Sequence, residues 1–364
     1  MPELSVMPKE QSNGRRSVPS DCDLDHAYLR GSRVLVTGAT GFIGRRLVRR
    51  LVSAGSYVRV LVRPTSNLEG LAGVAEHLKI YHGDLKDADS LQEAVRGAEL
   101  VFHLAVATGP DWEEIRQATV LGTESLLEGA RRSRASRFVY VSSMAVYDYG
   151  SMKPGAVVDE SAPLEAEPRT RNSYARSKCE AEAAVRRSLN LPDLAVTVVR
   201  PGAVYGPGGP EHVPSTMRIL AGRLAFAIGG GRRLIPLVYV EDLLGALLRI
   251  ASSANAAGRI YNIVSDKLVC ERVYVSKYSQ MQGRPLVVVP LPRLPFLWAA
   301  GLYDWASRFS RNKKDSAVLR SLRRVTTPIS FSAAATANDL GWSARTELDD
   351  GIRACIEEKA NALP

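Results

Sequence analysis

The stretch NSYARSKCEAE (172–182) contains a tyrosine and a lysine whose types and spacing could move a proton. Tyr174 precedes Lys178 by four positions, and on a helix that spacing places both side chains on one face. Such a pair can carry out general acid/base chemistry, but it can equally belong to an ordinary solvated helix face. The pair alone does not decide, so its interpretation depends on what the rest of the chain places around it.

A glycine-rich run, VTGATGFIG (36–44), suggests what one neighbour could be. Gly38, Gly41 and Gly44 fall between a short β-rich segment and a segment with apolar residues at helical spacing. Small residues there let backbone N–H groups approach a phosphate at a helix N-terminus. The spacing is Gly-x-x-Gly-x-x-Gly, not the more familiar Gly-x-Gly-x-x-Gly. A structural tight turn would also use glycines, but the position at the first strand-to-helix junction favours dinucleotide binding.

The end of the second strand indicates which dinucleotide binds. An acid there would bind the adenosine ribose hydroxyls of NAD, whereas a base would accommodate a 2′-phosphate. The strand ends in VLVRPTSN, which supplies Arg63 and no acid. Because a guanidinium suits a phosphate, the sequence favours NADP(H) over NAD(H), with Arg45 as an expected helper. The alternative is that Arg63 is a solvated strand end.

Two further strand ends offer cofactor contacts. HGDL places Asp84 where it could accept from an adenine amino group and Leu85 where it could pack on the ring. HLAVA supplies Ala105 and Ala107, whose small side chains would let a cofactor pass close by. Each of these residues is also compatible with simple strand-end packing.

Strand and helix patterns alternate through the first half of the chain and must position these groups. Near-continuous apolar runs predict strands at RVLVTG, YVRVLVR, LKIYHGD, ELVFHLA, RFVYVSS and AVTVVRP. The alternation predicts an α/β fold, a doubly wound parallel sheet (Rossmann) with a smaller C-terminal α+β substrate domain. We expect a disordered tail over 1–30 and a dinucleotide-binding domain over 31–200, to which 237–265 returns. The segments 201–236 and 266–364 would form the substrate domain.

The composition is that of an intracellular globular protein. Of the 364 residues, 45% are hydrophobic and 24% are charged. No uninterrupted apolar stretch of about 20 residues predicts a spanning helix, and the N-terminus lacks the apolar core of a secretory signal. Four scattered cysteines predict neither a disulfide framework nor a metal site. We therefore expect a cytoplasmic protein without a metal.

The formal net charge is +10, and one concentration of it lies in RFSRNKKDSAVLRSLRR (308–324), with seven Arg or Lys against one Asp. This basic segment could be a solvated helix face, bind an anionic part of a substrate, or contact an anionic membrane surface. In the last case the peripheral contact would run through 286–324. Nucleic acid is disfavoured as a partner because no interleaved aromatics or binding motif accompany the charge.

Taken together, the motifs resemble the extended short-chain dehydrogenase/reductase family, of the NAD-dependent epimerase/dehydratase type. They are TGATGFIG, HGDL, VSSMAVY, YARSK, RPGAVYGPGG, YVEDLLGAL and the late LGW…LDDGI. The resemblance covers the chain from about Arg33 to about Glu357. Each motif is modest alone, but their common order and spacing make a chance match very improbable.

The resemblance implies roles for the residues quoted at the outset. Tyr174 would be the general acid/base. Lys178 would bind the nicotinamide ribose and would also lower the pKa of Tyr174, because a nearby cation favours the phenolate of a tyrosine, whose ordinary pKa is about 10. Ser143 matches the family's catalytic Ser or Thr, which hydrogen-bonds the substrate oxygen, although its neighbour Ser142 could be confused with it. In reduction, hydride would pass from the nicotinamide to a ketone carbon while Tyr174 protonates the oxygen.

The resemblance also implies further cofactor contacts. Pro201 and Gly202 would run beside the nicotinamide, and Val204 would touch its ring. The loop and strand-end residues that complete the predicted cofactor site are Thr40, Phe42, Ile43 and Val106. One position departs from the family pattern: Thr119 stands where members often carry Asn, which puts the usual active-site hydrogen bonds in doubt.

The family covers several reactions, and local sequence favours one of them. Met144 and Ala145 follow Ser143 where dehydratases carry an acidic pair, and GGGRRLIPLVYVEDL lacks the usual nucleotide-sugar pattern. The apolar PLPRLPFLWAAGLYDWA fits the hydroxysteroid dehydrogenase and dihydroflavonol reductase-like branch. In that branch this region builds a hydrophobic pocket or a membrane-facing helix. The aromatic residues expected either to line it or to belong to plain core are Phe296, Trp298 and Trp305.

We therefore predict an NADP(H)-dependent oxidoreductase that interconverts a ketone and a secondary alcohol on an apolar small molecule. One alternative is a nucleotide-sugar 4-epimerase or related enzyme, and another is a non-catalytic dinucleotide-binding scaffold or sensor. The resemblance also implies a homodimer, paired through the helices that contain Gly122 and Tyr174.

Overall fold

A seven-stranded parallel sheet lies at the centre of the molecule. The computed structural model describes residues 27–210, 217–220, 223–307 and 318–362. Its strands are β1 (Arg33–Thr37), β2 (Tyr57–Val62), β3 (Leu78–His82), β4 (Leu100–His103), β5 (Arg137–Val141), β6 (Val157–Val158), β7 (Ala195–Pro201), β8 (Ala203–Tyr205), β9 (Met217–Leu220), β10 (Leu224–Ile228), β11 (Leu234–Ile235), β12 (Leu237–Tyr239), β13 (Ile260–Ile263), β14 (Val269–Cys270), β15 (Val287–Leu291) and β16 (Ser330–Phe331). The central sheet has the order β3-β2-β1-β4-β5-β7-β13, with every neighbouring pair parallel.

Helices cover both faces of this sheet. They are α1 (Phe42–Ser53), α2 (Ala88–Val95), α3 (Trp112–Ile115), α4 (Gly122–Arg132), α5 (Ser173–Arg186), α6 (Val240–Ser252), α7 (Glu271–Met281), α8 (Arg293–Ser307), α9 (Val318–Thr326), α10 (Ala334–Leu340) and α11 (Leu348–Ala362), and a π-helical segment (Arg116–Leu121) joins α3 to α4. Leu47 of α1 and Leu243 of α6 pack in one core with Val34, while Leu126 of α4 and Ala181 of α5 pack in another with Leu35. Successive β1 residues thus face opposite cores, which confirms the predicted doubly wound sheet.

The direction of winding reverses between β1 and β4. Chain order runs outward from β1 through β2 to β3 on one side, and from β4 through β5 to β7 on the other. In open sheets of this kind a crevice opens at the carboxyl ends of the two strands at the reversal, and ligands bind there. We therefore expect a ligand site at the carboxyl ends of β1, β4, β5 and β7.

Shorter sheets extend from the carboxyl end of the central one. β8 pairs in parallel with β12, β11 pairs antiparallel with β14, and β9, β10 and β15 form a three-stranded sheet. β13, from the segment 237–265, pairs with β7 at the edge of the central sheet. This pairing is in keeping with the expected domain division, which stays a proposal.

The aromatic residues of α8 do not lie where the sequence suggested. Trp298 is 78% exposed, Trp305 is 58% exposed and Phe296 is 39% exposed, so none of them is buried core. They are also absent from the described residues that line the cavity at the carboxyl ends of β5 and β7. The interpretation as buried core was wrong, and that as pocket lining is not supported, because apolar content does not reveal which face of a helix is covered. The other interpretation, a membrane-facing helix, stays a prediction.

Two arginines in the described part of the basic segment, Arg320 and Arg324, are turned towards buried carboxylates, whereas Arg323 is exposed. Arg320 lies 2.7 Å from an oxygen of Asp148 and 2.9 Å from one of Glu165, and Arg324 lies 2.8 Å from the other oxygen of Glu165. The Glu165 side chain is fully buried, so these cations neutralise a buried charge. These two arginines do not belong to a solvated face. Residues 308–317 of the basic segment lie outside the described residues.

Candidate active site

The glycine-rich loop between β1 and α1 is tightly folded against its surroundings. Gly38 has a φ of +72°, and a Cβ atom there would lie 2.8 Å from the backbone nitrogen of Ala105. A Cβ atom on Gly44 would lie 2.0 Å from the carbonyl oxygen of Gly38. Only glycine fits at either place, so the loop packs closely against the end of β4 and the first turn of α1. That turn has no acidic residue, which leaves the helix N-terminus favourable for an anion.

A cavity of about 360 Å³ extends from this loop across the ends of β1, β2 and β3. The predicted residues that line it are Gly38, Thr40, Gly41, Arg63, Asp84, Leu85, Ala105, Val106 and Ala107. Arg63 is exposed at its rim, and Ser66 and Lys86, which the sequence analysis did not single out, also line it. Arg45 is not among the lining residues, and its guanidinium donates to the carbonyl of Gly208 at 3.2 Å, so its assisting role stays a prediction.

A second cavity, of about 600 Å³, adjoins the first. Its predicted lining residues are Gly38, Gly41, Phe42, Ile43, Gly44, Val106, Ser143, Tyr174, Lys178, Pro201, Gly202 and Val204. The two cavities share Gly38, Gly41, Leu104 and Val106, so they form one continuous groove. Apart from Arg45, the sequence-predicted site residues all line this groove.

The structure distinguishes the two serines that follow β5. Ser143 lines the cavity and begins a short 3₁₀ turn, in which its Oγ accepts from the amide of Ala145 at 3.1 Å. Ser142 is only 2% exposed, and its Oγ donates to Glu182 Oε2 at 2.5 Å. The Ser142 hydroxyl is thus hydrogen-bonded to a buried carboxylate, whereas the Ser143 hydroxyl can bind a ligand in the cavity.

Helix α5 presents Tyr174 and Lys178 to the same cavity. Asn172 caps the helix, its side chain accepting from the amide of Ala175 at 2.8 Å. Tyr174 is 39% exposed, and burial of the remainder raises its pKa above the ordinary value, while a hydrogen bond with Ser143 opposes the shift. The net direction is opposite to the expected lowering by Lys178. The Tyr174 phenol is therefore held protonated at neutral pH.

Lys178 lines the cavity although it is deeply buried, with a relative exposure of 2%. Its side chain donates to the carbonyl of Val141 at 2.7 Å and lies 5.2 Å from the centre of the Tyr140 ring. Burial lowers the pKa of Lys178 to about 8, and the negative charge of Glu182 opposes this shift. The ammonium group is consequently charged at neutral pH and begins to lose its proton only slightly above it.

A buried polar network supports these residues from below. Glu182 lies 2.5 Å from an Nη of Arg200, and the two side chains are each 1% exposed. Arg200 also donates to Tyr147 Oη at 2.8 Å, which in turn donates to Asn262 Oδ1 at 2.7 Å. The network joins α5, β7 and β13 to the chain that follows Ser143. Sequence reasoning missed it, because nothing in the local sequence pairs these distant residues.

A second network fixes the end of β4. His103 is fully buried and hydrogen-bonded to Thr37 at 2.6 Å and to Thr123 at 2.8 Å, and burial, aided by the charge of Lys178, lowers its pKa to about 3. His103 is therefore neutral. Thr119, in the π-helical segment, accepts from the amide of Ala107 at 2.9 Å. Thr119 thus supports the cavity wall through the backbone of the β4 end.

The described residues contain no group of His, Cys, Asp and Glu side chains arranged to hold a metal ion. Among them there is likewise no helix long and apolar enough to cross a bilayer. The glycine cradle at a helix N-terminus, at the reversal of a doubly wound sheet and beside a buried lysine, defines a dinucleotide-binding enzyme site.

Comparisons with known proteins agree with this class. The model of the NAD dependent epimerase/dehydratase family matches residues 34–264. The 4-hydroxy-2-methyl-3-oxo-4-farnesyl-3,4-dihydroquinoline-1-oxide ketoreductase of Stigmatella aurantiaca is 30% identical over 71% of this chain and 76% of its own. The 2-alkyl-3-oxoalkanoate reductase of Shewanella oneidensis is 26% identical over 91% of this chain and 87% of its own.

One solved structure is similar over nearly the whole chain. DesIV (dTDP-glucose 4,6-dehydratase) from Streptomyces venezuelae, with NAD and TYD bound, superposes with a TM-score of 0.67 at 25% identity, covering 90% of this chain and 97% of its own. The chain belongs to the NAD-dependent epimerase/dehydratase family of extended short-chain dehydrogenases/reductases, and it is an NAD(P)-dependent enzyme.

Proposed function

We propose that this enzyme is an NADP(H)-dependent oxidoreductase that interconverts a ketone and a secondary alcohol on an apolar small molecule. The observation that carries the proposal is the single cavity of about 600 Å³ in which Ser143, Tyr174 and Lys178 meet at the end of the dinucleotide groove. Carbonyl reduction needs a proton donor, a hydroxyl that binds the carbonyl oxygen and a positive charge that stabilises the resulting anion. This cavity contains all three.

A bound nicotinamide would supply hydride to the carbonyl carbon in reduction and accept it in oxidation. Tyr174, whose pKa burial raises, would donate its proton to the carbonyl oxygen. Ser143 would hold the same oxygen by a hydrogen bond. Lys178, charged at neutral pH, would stabilise the phenolate that remains on Tyr174 after the transfer.

The preference for NADP(H) rests on the rim of the first cavity. Arg63 and Lys86 are both exposed there, and no acidic residue follows β2 within the cavity lining until Asp84 at the end of β3. Two cations at this rim favour a 2′-phosphate over a ribose hydroxyl. NAD(H) is the alternative, and comparing the affinities of the two nucleotides separates them.

The reaction assignment draws on the relatives as well as on the site. The two relatives described above are reductases by name, a ketoreductase and a 2-alkyl-3-oxoalkanoate reductase. They support ketone reduction over nucleotide-sugar 4-epimerisation, which stays the alternative because the DesIV structure is similar overall. The alternative of a non-catalytic scaffold fits the site less well, since a scaffold has no need of an aligned serine, tyrosine and lysine.

The test is turnover by the purified enzyme with NADPH and a panel of apolar ketones. Tyr174→Phe should lower kcat by about 100- to 10,000-fold while NADPH binding persists, because only the proton donor is lost. Tyr57→Phe, at a 69% exposed site away from the groove, is the matched control. Near-normal turnover by Tyr174→Phe would refute the mechanism. Conversion of a UDP-sugar with no ketone reduced would establish the epimerase, and no turnover of either would favour the scaffold.

The homodimer through the helices of Gly122 and Tyr174, the cytoplasmic location and the absence of a nucleic-acid partner stay predictions. So does the peripheral membrane contact through 286–324. The exposed Trp298 and Trp305 of α8 support that contact, whereas the ion-paired Arg320 and Arg324 do not contribute to it.

A further inference from the structure

Arg233 reaches the active-site cavity because the chain before β12 crosses closely over the end of β7. A Cβ atom on Gly202 would lie 2.0 Å from the carbonyl oxygen of Pro236, and the amide of Ala203 donates to that oxygen at 2.6 Å. The carbonyl of Arg233 accepts from the amide of Glu271 at 2.9 Å. These backbone contacts hold the segment 233–236 over the cavity, and Arg233 lines it together with Ser143 and Tyr174.

The guanidinium of Arg233 lies near the turn that carries Ser143. Its Cζ is 6.0 Å from the centre of the Tyr149 ring, and Tyr149 Oη donates to the carbonyl of Met144 at 2.6 Å. Met144 follows Ser143 directly in the chain. One aromatic side chain therefore separates the cation from the turn expected to hold the reacting oxygen.

The hydrogen-bonding capacity of Arg233 is not used up by the protein. Its side chain is 18% exposed, and the nearest ion-pair contact, from Nη1 to Glu271 Oε1, is 3.6 Å, longer than a hydrogen bond. Its Nε is buried without a hydrogen-bond partner among the described residues. Because this Nε is shielded from solvent, a ligand in the cavity would accept from the Nη groups, and such a charge-assisted hydrogen bond would be stabilising.

The cavity lining favours an anion over a second cation, although Glu271, which is outside this lining, lies 3.6 Å from Arg233. The cavity that Arg233 lines has many apolar residues in its wall, among them Met144, Ala145, Tyr149, Pro210, Ile235 and Pro236. No acidic side chain is among the described residues that line this cavity, and Lys178 and Arg233 supply its positive charges. An apolar wall with one forked cation fits a ligand that is apolar except for one planar anionic group.

We propose that Arg233 binds a carboxylate of the substrate, so that the enzyme acts on apolar keto acids and the corresponding hydroxy acids rather than on neutral ketones. The inference rests on the ketone–alcohol chemistry proposed above and specifies its substrate class. A guanidinium matches a carboxylate with two parallel hydrogen bonds. A site built around such a pair rejects the uncharged analogue, because the arginine is then left without its partner.

The test compares one acid with its own ester. The enzyme is assayed with NADP⁺ on 2-methyl-3-hydroxyoctanoic acid and on the methyl ester of that acid. The wild type should show a kcat/KM at least about 10-fold higher for the acid. Arg233→Met should lower kcat/KM for the acid by about 10- to 100-fold, mainly through KM, and change that for the ester by less than about threefold. Arg232→Met, at the exposed neighbouring arginine, should leave both values unchanged.

Equal losses of Arg233→Met on acid and ester, or a wild type that prefers the ester, would overturn the proposal. If Arg233→Met does not fold, Arg233→Lys, which keeps the charge and removes the fork, must still lose selectivity for the acid. If the wild type oxidises neither compound, the proposed redox function fails, and calorimetric binding of the acid and the ester to the NADP⁺-loaded protein still tests Arg233. Equal affinities there would refute the carboxylate site by itself.

Discussion

Replacing Lys178 by methionine should make the protein more stable at neutral pH while abolishing turnover. Burial lowers the pKa of Lys178 from 10.5 to about 8, and each pKa unit corresponds to about 1.4 kcal/mol. The buried charge therefore costs the folded state about 3 kcal/mol. Methionine fits a similar volume but loses the hydrogen bond to the carbonyl of Val141, worth about 1 kcal/mol. The expected net gain at pH 7 is about 2 kcal/mol.

The gain should shrink as the pH rises. Below pH 8 the lysine is charged in both the folded and the unfolded state, so the full cost of burial is present. Between about 8 and 10.5 the folded protein releases the proton while the unfolded chain retains it, so wild-type stability rises through this window. At pH 9.5 the advantage of Lys178→Met should be smaller by about 2 kcal/mol.

Urea denaturation at pH 7 and pH 9.5, without added nucleotide, measures both differences. Lys153→Met, at an exposed lysine, is the control and should differ little from the wild type at either pH. A Lys178→Met variant that is less stable than the wild type at pH 7 would refute the reasoning. So would an advantage that is the same at both pH values, because the stability difference would then not arise from a buried titrating charge.

Two further predictions concern the cofactor groove. Arg63→Ala should weaken NADPH binding about 10-fold and leave NADH binding nearly unchanged, because only NADPH carries a 2′-phosphate. Nucleotide fluorescence measures both affinities. An equal loss for both nucleotides would show that Arg63 has no role in the preference. Gly44→Ala should lower the free energy of unfolding by about 1–3 kcal/mol and weaken nucleotide binding, since the added Cβ would lie 2.0 Å from the carbonyl oxygen of Gly38. Gly73→Ala, where no atom lies within 4 Å of the added Cβ, is its control in thermal denaturation, and equal effects of the two changes would contradict the packing argument.

The sheet and the groove could be predicted from sequence because their determinants are local. Apolar runs such as RFVYVSS mark strands buried on both faces, and the glycines of VTGATGFIG mark a turn that only glycine can make. Parallel strands then bring their carboxyl ends to one edge, so residues as distant as Gly38, Ser143 and Pro201 meet without any pairwise signal between them.

The charged interior could not be predicted, because it depends on partners that are distant in the chain. Arg200 and Glu182 are 18 residues apart in the chain, and Arg324 and Glu165 are 159 residues apart. Composition shows arginines and carboxylates but not which of them are removed from water together. For the same reason the sequence could not show that Arg320 and Arg324 form ion pairs rather than part of a solvated helix face, and it does not distinguish Arg233 from its exposed neighbour Arg232.

The buried network accounts for the unusual state of Lys178. Glu182 is the anion that could hold the lysine proton firmly, but its oxygens are already engaged by Arg200 at 2.5 and 3.1 Å and by Ser142 at 2.5 Å. Because the Glu182 carboxylate is already paired with Arg200, its charge only partly opposes the lowering of the Lys178 pKa by burial. The pKa of the lysine therefore stays near 8. A lysine paired directly with a free carboxylate would be more stable but would exert less positive potential on its neighbours. The Arg200–Glu182 pair thus fixes the floor of the cavity while leaving Lys178 as an incompletely compensated positive charge, which is the condition under which it can stabilise a phenolate on Tyr174.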